Sequence, residues 1–327
     1  MNKKSLLRAT ATLALAAVIP WASAQPYPEK AIRLVVPFAV GGANDLVARV
    51  LSARLQANLE QPVVVENRPG AGGSVGVASV VKAAPDGYTL VLGQSGSVSI
   101  GPSMSKKPPY DSVRDLVPVA SIMELPLVIV ANPGANIRNP KDLVAYGSGK
   151  NTSYGSAGTG TVQHLTMELL KRTMKPEMTH IPYRGGAPAM TDLIGGQFPF
   201  MPVSASTALQ PVNAGQIVTV AALGKNRSSI FPSLPTAAEQ GYPSLNVTVW
   251  AGIFAPTGTP PALVEFLAGE VRKVLAVAKT RKAITELGVA VVEMPRADFA
   301  RVVQEDVRRW AQVIREAVRA VRGSSDN

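Results

Sequence analysis

The chain has 327 residues, of which 46% are hydrophobic and none is cysteine, and its formal net charge is +11. This length is sufficient for two domains, and the lack of cysteine excludes disulfides, a lipid-bearing cysteine and a thiol nucleophile. The basic residues are scattered and aromatic residues make up only 5% of the chain, so the charge does not indicate nucleic-acid binding. We therefore predict no nucleic-acid partner and a charge that favours anionic solutes.

The N-terminus has the pattern of a secretory signal peptide over residues 1–24. Basic residues precede an apolar run at 9–19, and Ala22-Ser23-Ala24 matches an A-x-A cleavage site. The apolar run is too short to span a bilayer, which disfavours a membrane anchor. We expect a soluble mature protein that begins at Gln25 and is located in the periplasm.

From Ile32 onward, apolar segments alternate with helical patterns, which is typical of an α/β protein built on parallel sheets. Two such units are followed by two amphipathic helices. One of these helices is predicted to start with Thr259 as N-cap and Pro260 at its first position. The predicted strands are 32–38, 63–65, 88–92, 127–130, 178–181, 198–203 and 218–223, and the predicted helices include 74–81, 142–146, 162–172, 189–194 and 299–314.

Two glycine-rich turns stand where a strand gives way to a helix, at Pro37–Asp45 and at Tyr154–Thr161. With little side chain in the way, backbone N–H groups and the positive end of the helix dipole can reach a ligand. The turns are roughly a hundred residues apart, which suggests that two domains present helix N-termini to one anion. The alternative that these glycines only form tight turns stays open.

Other site chemistries have weaker support. The segment Gly93–Ser97 resembles a nucleophile elbow but lacks the final glycine, and the chain has two histidines, His164 and His180. Without nearby carboxylate pairs these histidines do not predict a metal site. The G-x-G-x-x-G spacing of dinucleotide-binding proteins is not met, because Gln163 occupies its last position. We expect no enzyme activity, no cofactor and no metal.

The order of the segments predicts a hinged, two-lobed protein with a cleft between the lobes. Both C-terminal helices are expected to pack back on the first lobe. The chain would then cross between lobes near Leu125 and near Val247. This organisation gives a first domain from 25–125 and 248–327 and a second domain from 126–247.

Several motifs, in this order, carry a resemblance that covers essentially all of the mature chain. The chain resembles the tripartite tricarboxylate transporter substrate-binding receptors, the Bug family. The motifs are Tyr27-Pro28-Glu29-Lys30, Pro37-Phe38 with Gly41-Gly42 and Asp45, Glu66–Gly73, Asp86-Gly87-Tyr88-Thr89, Tyr154-Gly155-Ser156 with Gly158, Gly160 and His164, Pro182–Pro188, and Phe254-Ala255-Pro256 with Gly258-Thr259-Pro260.

The resemblance implies a type II periplasmic binding protein fold and a small carboxylate ligand, held mainly by backbone N–H groups and ordered waters of the two glycine turns. It also implies a monomer that delivers this ligand to the membrane permease of a tripartite tricarboxylate transporter. A receptor subunit for a membrane sensor kinase is the alternative. The implied ligand-binding residues are Phe38, Ala39, Gly41, Gly42, Asn44, Asp45, Gln94, Ser95, Ser156, Ala157, Gly158, Thr159, Gly160, Thr161, His164, Val203 and Ser204.

Three of these residues carry open alternatives. Asp45 is expected to orient its turn, or else to meet an amino group on the ligand. His164 either faces the cleft or is satisfied inside its domain. Val203 stands where related chains often have an aspartate. If Val203 faces the cleft, the pocket suits an apolar or anionic solute better than a cationic one. The alternative is that Val203 lies outside contact range of the ligand.

Overall fold

This computed structural model describes residues 27–105, 107–149, 152–183 and 185–323; the predicted signal peptide lies outside the described residues. These residues form two α/β lobes, as the sequence predicts. The strands are β1 (Ile32–Val36), β2 (Val63–Asn67), β3 (Thr89–Gln94), β4 (Leu116–Leu125), β5 (Leu127–Ala131), β6 (Thr152–Ser156), β7 (Met178–Pro182), β8 (Phe200–Ser204), β9 (Val218–Ala222), β10 (Val249–Pro256) and β11 (Ala290–Val291).

The helices cover the faces of these sheets. Short 3₁₀ turns occur at 71–73, 133–135 and 243–245, and a π-helical turn at Gly96–Ile100 runs into α3. The α-helices are α1 (Ala43–Leu59), α2 (Ser74–Val81), α3 (Gly101–Met104), α4 (Ser112–Asp115), α5 (Pro140–Gly147), α6 (Val162–Met174), α7 (Gly186–Ile194), α8 (Ala205–Asn213), α9 (Pro261–Ala276), α10 (Ala278–Thr285) and α11 (Arg296–Gly323).

The first lobe is built on a six-stranded sheet with the order β11-β4-β10-β3-β1-β2. Strands β1, β2 and β3 are parallel, as the strand–helix alternation predicts. The prediction of a parallel sheet holds for these three strands only, because β10 pairs antiparallel with both β3 and β4. The reason is that β4 carries the chain out to the second lobe and β10 brings it back, so these neighbours point in opposite directions.

The second lobe contains a parallel pair, β6 and β7, and a three-stranded antiparallel sheet with the order β8-β5-β9. Here too a parallel sheet was expected. Strands β8 and β9 are joined through α8 and both run antiparallel to β5, so they point the same way. However, β5 lies between them, because the chain enters this lobe directly from β4 without a helical crossover.

The two crossings between lobes lie side by side. Leu125 at the end of β4 pairs with Val249 at the start of β10, and Pro126 alone separates β4 from β5. Among the described residues, no helix has both the length and the apolarity that a membrane span requires.

The two long C-terminal helices do not both behave as predicted. Helix α9 packs on the first lobe, through Val264 and Leu267 among others. Helix α11 contacts both lobes: Phe299 belongs to a first-lobe core cluster, whereas Trp310 and Val313 belong to a second-lobe cluster. Its 28 residues span about 42 Å at 1.5 Å per residue, which is enough to pass over the crossings.

The start of α9 also differs from the prediction. The helix begins at Pro261, with Pro260 at the N-cap position, one residue later than expected. The Thr259 hydroxyl donates a hydrogen bond to the Pro256 carbonyl (2.7 Å) and does not cap the helix. Either proline fits the first helical turn, because that turn leaves its N–H groups without intrahelical acceptors.

Candidate functional site: the cleft between the lobes

A cleft of about 880 Å³ lies beside the crossings. The first lobe contributes the start of α1, the end of β3 and the segment from Gly96 to Pro109, and the second lobe contributes Thr159–Gln163 and Ser204. Apolar side chains at the crossing, Leu125, Leu127 and Val249, complete the lining. This size matches pockets that bind small organic molecules.

Helix α1 opens into this cleft without a side-chain cap. Its N-cap is Gly42, which has no side chain, and the next two residues, Ala43 and Asn44, line the cleft. Their N–H groups have no partner among the described residues. An uncapped N-terminus of a 17-residue helix combines free donors with the positive end of the helix dipole. This arrangement suits an anion.

Asp45 anchors the first glycine turn. Its carboxylate, 1% exposed, accepts hydrogen bonds from the Gly41 N–H (2.9 Å), Arg49 Nε (3.1 Å) and Asn67 Nδ2 (2.9 Å). Asn67 also donates to the Phe38 carbonyl (3.1 Å). The hydrogen bond from Arg49 outweighs burial and lowers the pKa of Asp45 to about 2. Its acceptor positions are therefore used within the first lobe, which favours the turn-orienting role over contact with an amino group.

Asn44 and Gln94 form the polar wall beside the start of α1. Asn44 Nδ2 donates to Gln94 Oε1 (3.0 Å), and both residues line the cleft. The buried Asn44 Oδ1 has no partner within the described part of the chain. An unsatisfied buried acceptor at the edge of a cleft is a position that a water or a ligand group can fill.

The second glycine turn is held by its own lobe. Ser156 Oγ accepts from the Gly158 N–H (3.0 Å), His164 Nδ1 accepts from the Gly160 N–H (3.2 Å), and the Thr161 N–H donates to the Gly158 carbonyl (3.3 Å). The expectation that the glycine N–H groups are bare is therefore wrong for Gly41, Gly158 and Gly160, which all donate internally. In such short turns, each of these N–H groups lies close to a side-chain acceptor in the turn or in the helix that follows it.

Among the described residues, N–H donors without a partner remain at Thr159 in this turn and in the first turn of α6. Thr161 caps this helix by accepting from the His164 N–H (3.3 Å). The preceding N–H groups, those of Val162 and Gln163, have no partner among the described residues, and both residues line the cleft. Two helix N-termini, one from each lobe, therefore open into the same space. The sequence suggests this arrangement, but the N–H groups of Gly41, Gly158 and Gly160 are not among the free donors.

His164 is satisfied inside the second lobe and does not line the cleft. Its ring stacks on that of His180 with 4.0 Å between centroids. Burial lowers the pKa of His164, and burial followed by the neighbouring His164 lowers the pKa of His180 to about 4. Both rings are therefore neutral at neutral pH.

Val203 lies outside the cleft. It pairs with Val128 in the sheet of the second lobe and is buried in the core of that lobe. Its identity therefore carries no information on ligand charge. The predicted residues that line the cleft are Phe38, Asn44, Gln94, Thr159, Gly160, Thr161 and Ser204; those that do not are Ala39, Gly41, Gly42, Asp45, Ser95, Ser156, Ala157, Gly158, His164 and Val203.

Several residues of the segment between β3 and α4 line the cleft without having been predicted to do so. This segment supplies Lys107, which is the one charged side chain in the cleft lining within the described residues. No glycine turn or periodic pattern marks this segment. The first turn of α6, in contrast, directly follows the second glycine turn and could have been predicted from it. The missed lining residues are Ala43, Ala71, Gly72, Ser74, Gly96, Ile100, Gly101, Met104, Ser105, Lys107, Pro109, Leu125, Leu127, Val162, Gln163 and Val249.

Known proteins share this architecture. The structure of periplasmic binding protein BugD aligns with a TM-score of 0.72 and 34% identity, covering 89% of this chain and 98% of that one. MatC from Rhodopseudomonas palustris with bound malate aligns with a TM-score of 0.73 and 32% identity, covering 88% and 100%. A second R. palustris protein, with adipate, aligns with a TM-score of 0.75 and 30% identity, covering 88% and 97%. These neighbours confirm the two-lobed periplasmic binding protein fold.

The sequence comparisons agree with the fold. Protein BugT of Bordetella pertussis is 34% identical over 307 residues, which is 93% of this chain and 94% of BugT. The family model described as "Tripartite tricarboxylate transporter family receptor" matches residues 47–318. The chain thus belongs to the tripartite tricarboxylate transporter receptor family, whose members are periplasmic solute-binding proteins.

Proposed function

We propose that this protein captures a small carboxylate in the cleft and delivers it, chemically unchanged, to the membrane permease of a tripartite tricarboxylate transporter. The observation that carries the proposal is the pair of helix N-termini, α1 and α6, that open into one cleft from opposite lobes. Solved relatives with malate and with adipate support a carboxylate as the ligand.

The proposed grip uses four backbone donors, the N–H groups of Ala43, Asn44, Val162 and Gln163. Hydrogen bonds to a charged group contribute about 1.5–3 kcal/mol each. After the costs of ordering the ligand and the lobes, a few such bonds suffice for the roughly −8 kcal/mol of a micromolar receptor. Lys107 adds a positive charge suited to a second carboxylate of the same ligand.

The proposed mechanism is lobe closure. Each lobe supplies part of the grip, so a bound carboxylate favours the conformation in which both helix N-termini reach it. The proposed domains are 25–125 with 248–327, and 126–247, joined by the two crossings. We further propose that the mature protein begins at Gln25, works as a monomer in the periplasm, and presents its closed form to the permease.

A thermal-shift screen tests the proposal. The chain from Gln25 is heated with monocarboxylates, dicarboxylates, tricarboxylates, aromatic acids and acidic amino acids. A ligand at a hundredfold excess over its Kd stabilises by about 2.7 kcal/mol, which corresponds to several degrees for a chain of this size. We expect a shift confined to one carboxylate class. The absence of a shift with every acid would refute carboxylate capture.

A further inference from the structure

The two histidines of the chain form one stack behind the second glycine turn. The rings of His164 and His180 lie 4.0 Å apart at 23°, and the Tyr154 ring stacks on the other side of His180 at 5.1 Å. The stack is placed by three elements of the second lobe, because Tyr154 belongs to β6, His164 to α6 and His180 to β7. Neither histidine lines the cleft, but the turn in front of them does.

His164 holds the turn through one nitrogen. Its Nδ1 accepts a hydrogen bond from the Gly160 N–H at 3.2 Å, so Nδ1 carries no proton. The single proton of the neutral ring is then on Nε2, which faces Glu168 Oε1 at 3.9 Å. A protonated ring would present an N–H to the Gly160 N–H, and this contact would be lost.

His180 holds the same turn through Ser156. The Ser156 hydroxyl donates to the Gly158 carbonyl (3.1 Å), and its oxygen accepts from the Gly158 N–H (3.0 Å). The same hydroxyl also hydrogen-bonds with His180 Nε2, 2.7 Å away. His164 thus contacts Gly160 directly, and His180 contacts Gly158 through Ser156.

We propose that His164 and His180 are positioning residues: they hold the second glycine turn and the N-terminus of α6 in the conformation that binds the carboxylate, and protonation of His164 weakens binding. This proposal rests on the proposed function, since it concerns the same cleft. Under this proposal the affinity for the carboxylate falls at acidic pH, in addition to any decrease that protonation of the ligand causes.

The charged groups around His164 and His180 are consistent with neutral rings at neutral pH. Glu168 faces both rings, but its carboxylate already accepts from the Tyr154 hydroxyl (2.8 Å) and from Lys171 Nζ (3.0 Å). On the far side of α6, Arg172 pairs with Glu316 of α11. Burial is the dominant effect on both rings and lowers the pKa of each. Both rings are therefore neutral above pH 6.5, and His164 becomes protonated only below its ordinary pKa.

The test compares the wild type with His164→Asn and His164→Ala. Asparagine places Oδ1 where His164 has Nδ1, so it keeps an acceptor for the Gly160 N–H and does not titrate; alanine removes the acceptor. Kd values for malate and adipate are measured between pH 7.5 and 4.5. Because protonation of the ligand affects all three proteins equally, the ratio of Kd values isolates the histidine.

At pH 7.5 we expect His164→Asn to bind within about threefold of the wild type and His164→Ala to bind at least tenfold more weakly. Between pH 7.5 and 4.5 the wild type should lose at least threefold in affinity relative to His164→Asn. A constant ratio, or equal binding by the two variants at pH 7.5, would overturn the proposal. Unfolding midpoints at pH 7.5 verify that the variants are folded.

A second readout needs no ligand. The amide resonance of Gly160, followed by ¹⁵N NMR, should shift with pH in the wild type and stay constant in His164→Asn. An amide that does not titrate in the wild type would also overturn the proposal. If the amide titrates but the wild type binds no carboxylate at pH 7.5, the proposed function fails while the positioning role of the histidines stands.

Discussion

Replacing Asp45 with asparagine should destabilise the protein and loosen the first glycine turn. The carboxylate is 1% exposed and bonded to Gly41, Arg49 and Asn67. Chiefly through Arg49, its pKa falls from the ordinary 3.8 to about 2. At 1.36 kcal/mol per pH unit, this difference corresponds to about 2 kcal/mol of folding free energy. We therefore expect Asp45→Asn to cost about 2 kcal/mol at pH 7.

The cost should depend on pH in a defined direction. A carboxyl whose pKa is lowered by folding stabilises the native state above its unfolded pKa, and this stabilisation disappears as pH falls through the folded value. The difference between wild type and Asp45→Asn should therefore be constant from pH 8 to pH 5 and shrink below pH 4 towards pH 2. Urea unfolding at pH 7 and at pH 3 measures the decrease.

Glu265→Gln is a matched control. Glu265 pairs with Arg296 (2.7 Å), but both side chains are exposed, at 56% and 39%. Exposed ion pairs typically contribute less than about 1 kcal/mol. If Asp45→Asn costs no more than Glu265→Gln at pH 7, or if its cost is the same at pH 3, then the buried anchor does not stabilise the turn as argued.

Three further outcomes are expected. Gly160→Val should weaken malate or adipate binding at least tenfold, because valine is strained at φ +79° in the turn that faces the cleft. Gly215→Val is the control: with φ +70° and no neighbour within 4 Å, it should cost similar stability and leave binding unchanged. Calorimetric titration measures binding by both variants. Lys107→Gln should weaken dicarboxylates by about two- to fivefold in low salt and monocarboxylates less, in the same titrations. Trp310→Ala should lower the free energy of unfolding by about 3–5 kcal/mol in urea titrations, since this side chain is 1% exposed where α11 meets the second lobe.

Local patterns predicted the parts of the fold that depend on local physics. The strand, glycine turn and helix at Pro37–Asp45 and at Tyr154–Thr161 could be predicted because apolar periodicity and glycine act within a few residues. The insertion of β5 between β8 and β9 could not, because strand pairing over long sequence separations leaves no local signal. The contact of α11 with both lobes likewise depends on where the two crossings place the second lobe.

The candidate site could likewise be predicted only in part from local sequence patterns. The two turns that frame the cleft were visible as glycine patterns, but their internal hydrogen bonds depend on side chains brought close by folding, such as His180 beside Ser156. Lys107 follows no motif and reaches the cleft only because the π-helical turn and α3 direct that segment towards it. Residue type alone therefore located the turns but not the donors.

The central claim is that a carboxylate is bound between the N-termini of α1 and α6. Calorimetric titration of the chain from Gln25 with malate, adipate and citrate, each beside its neutral amide, tests this claim most directly. We predict that at least one carboxylate binds with a micromolar Kd and that its amide binds at least a hundredfold more weakly, since about 3 kcal/mol of charge-assisted hydrogen bonding is lost. An amide that binds as tightly as its acid would contradict the account.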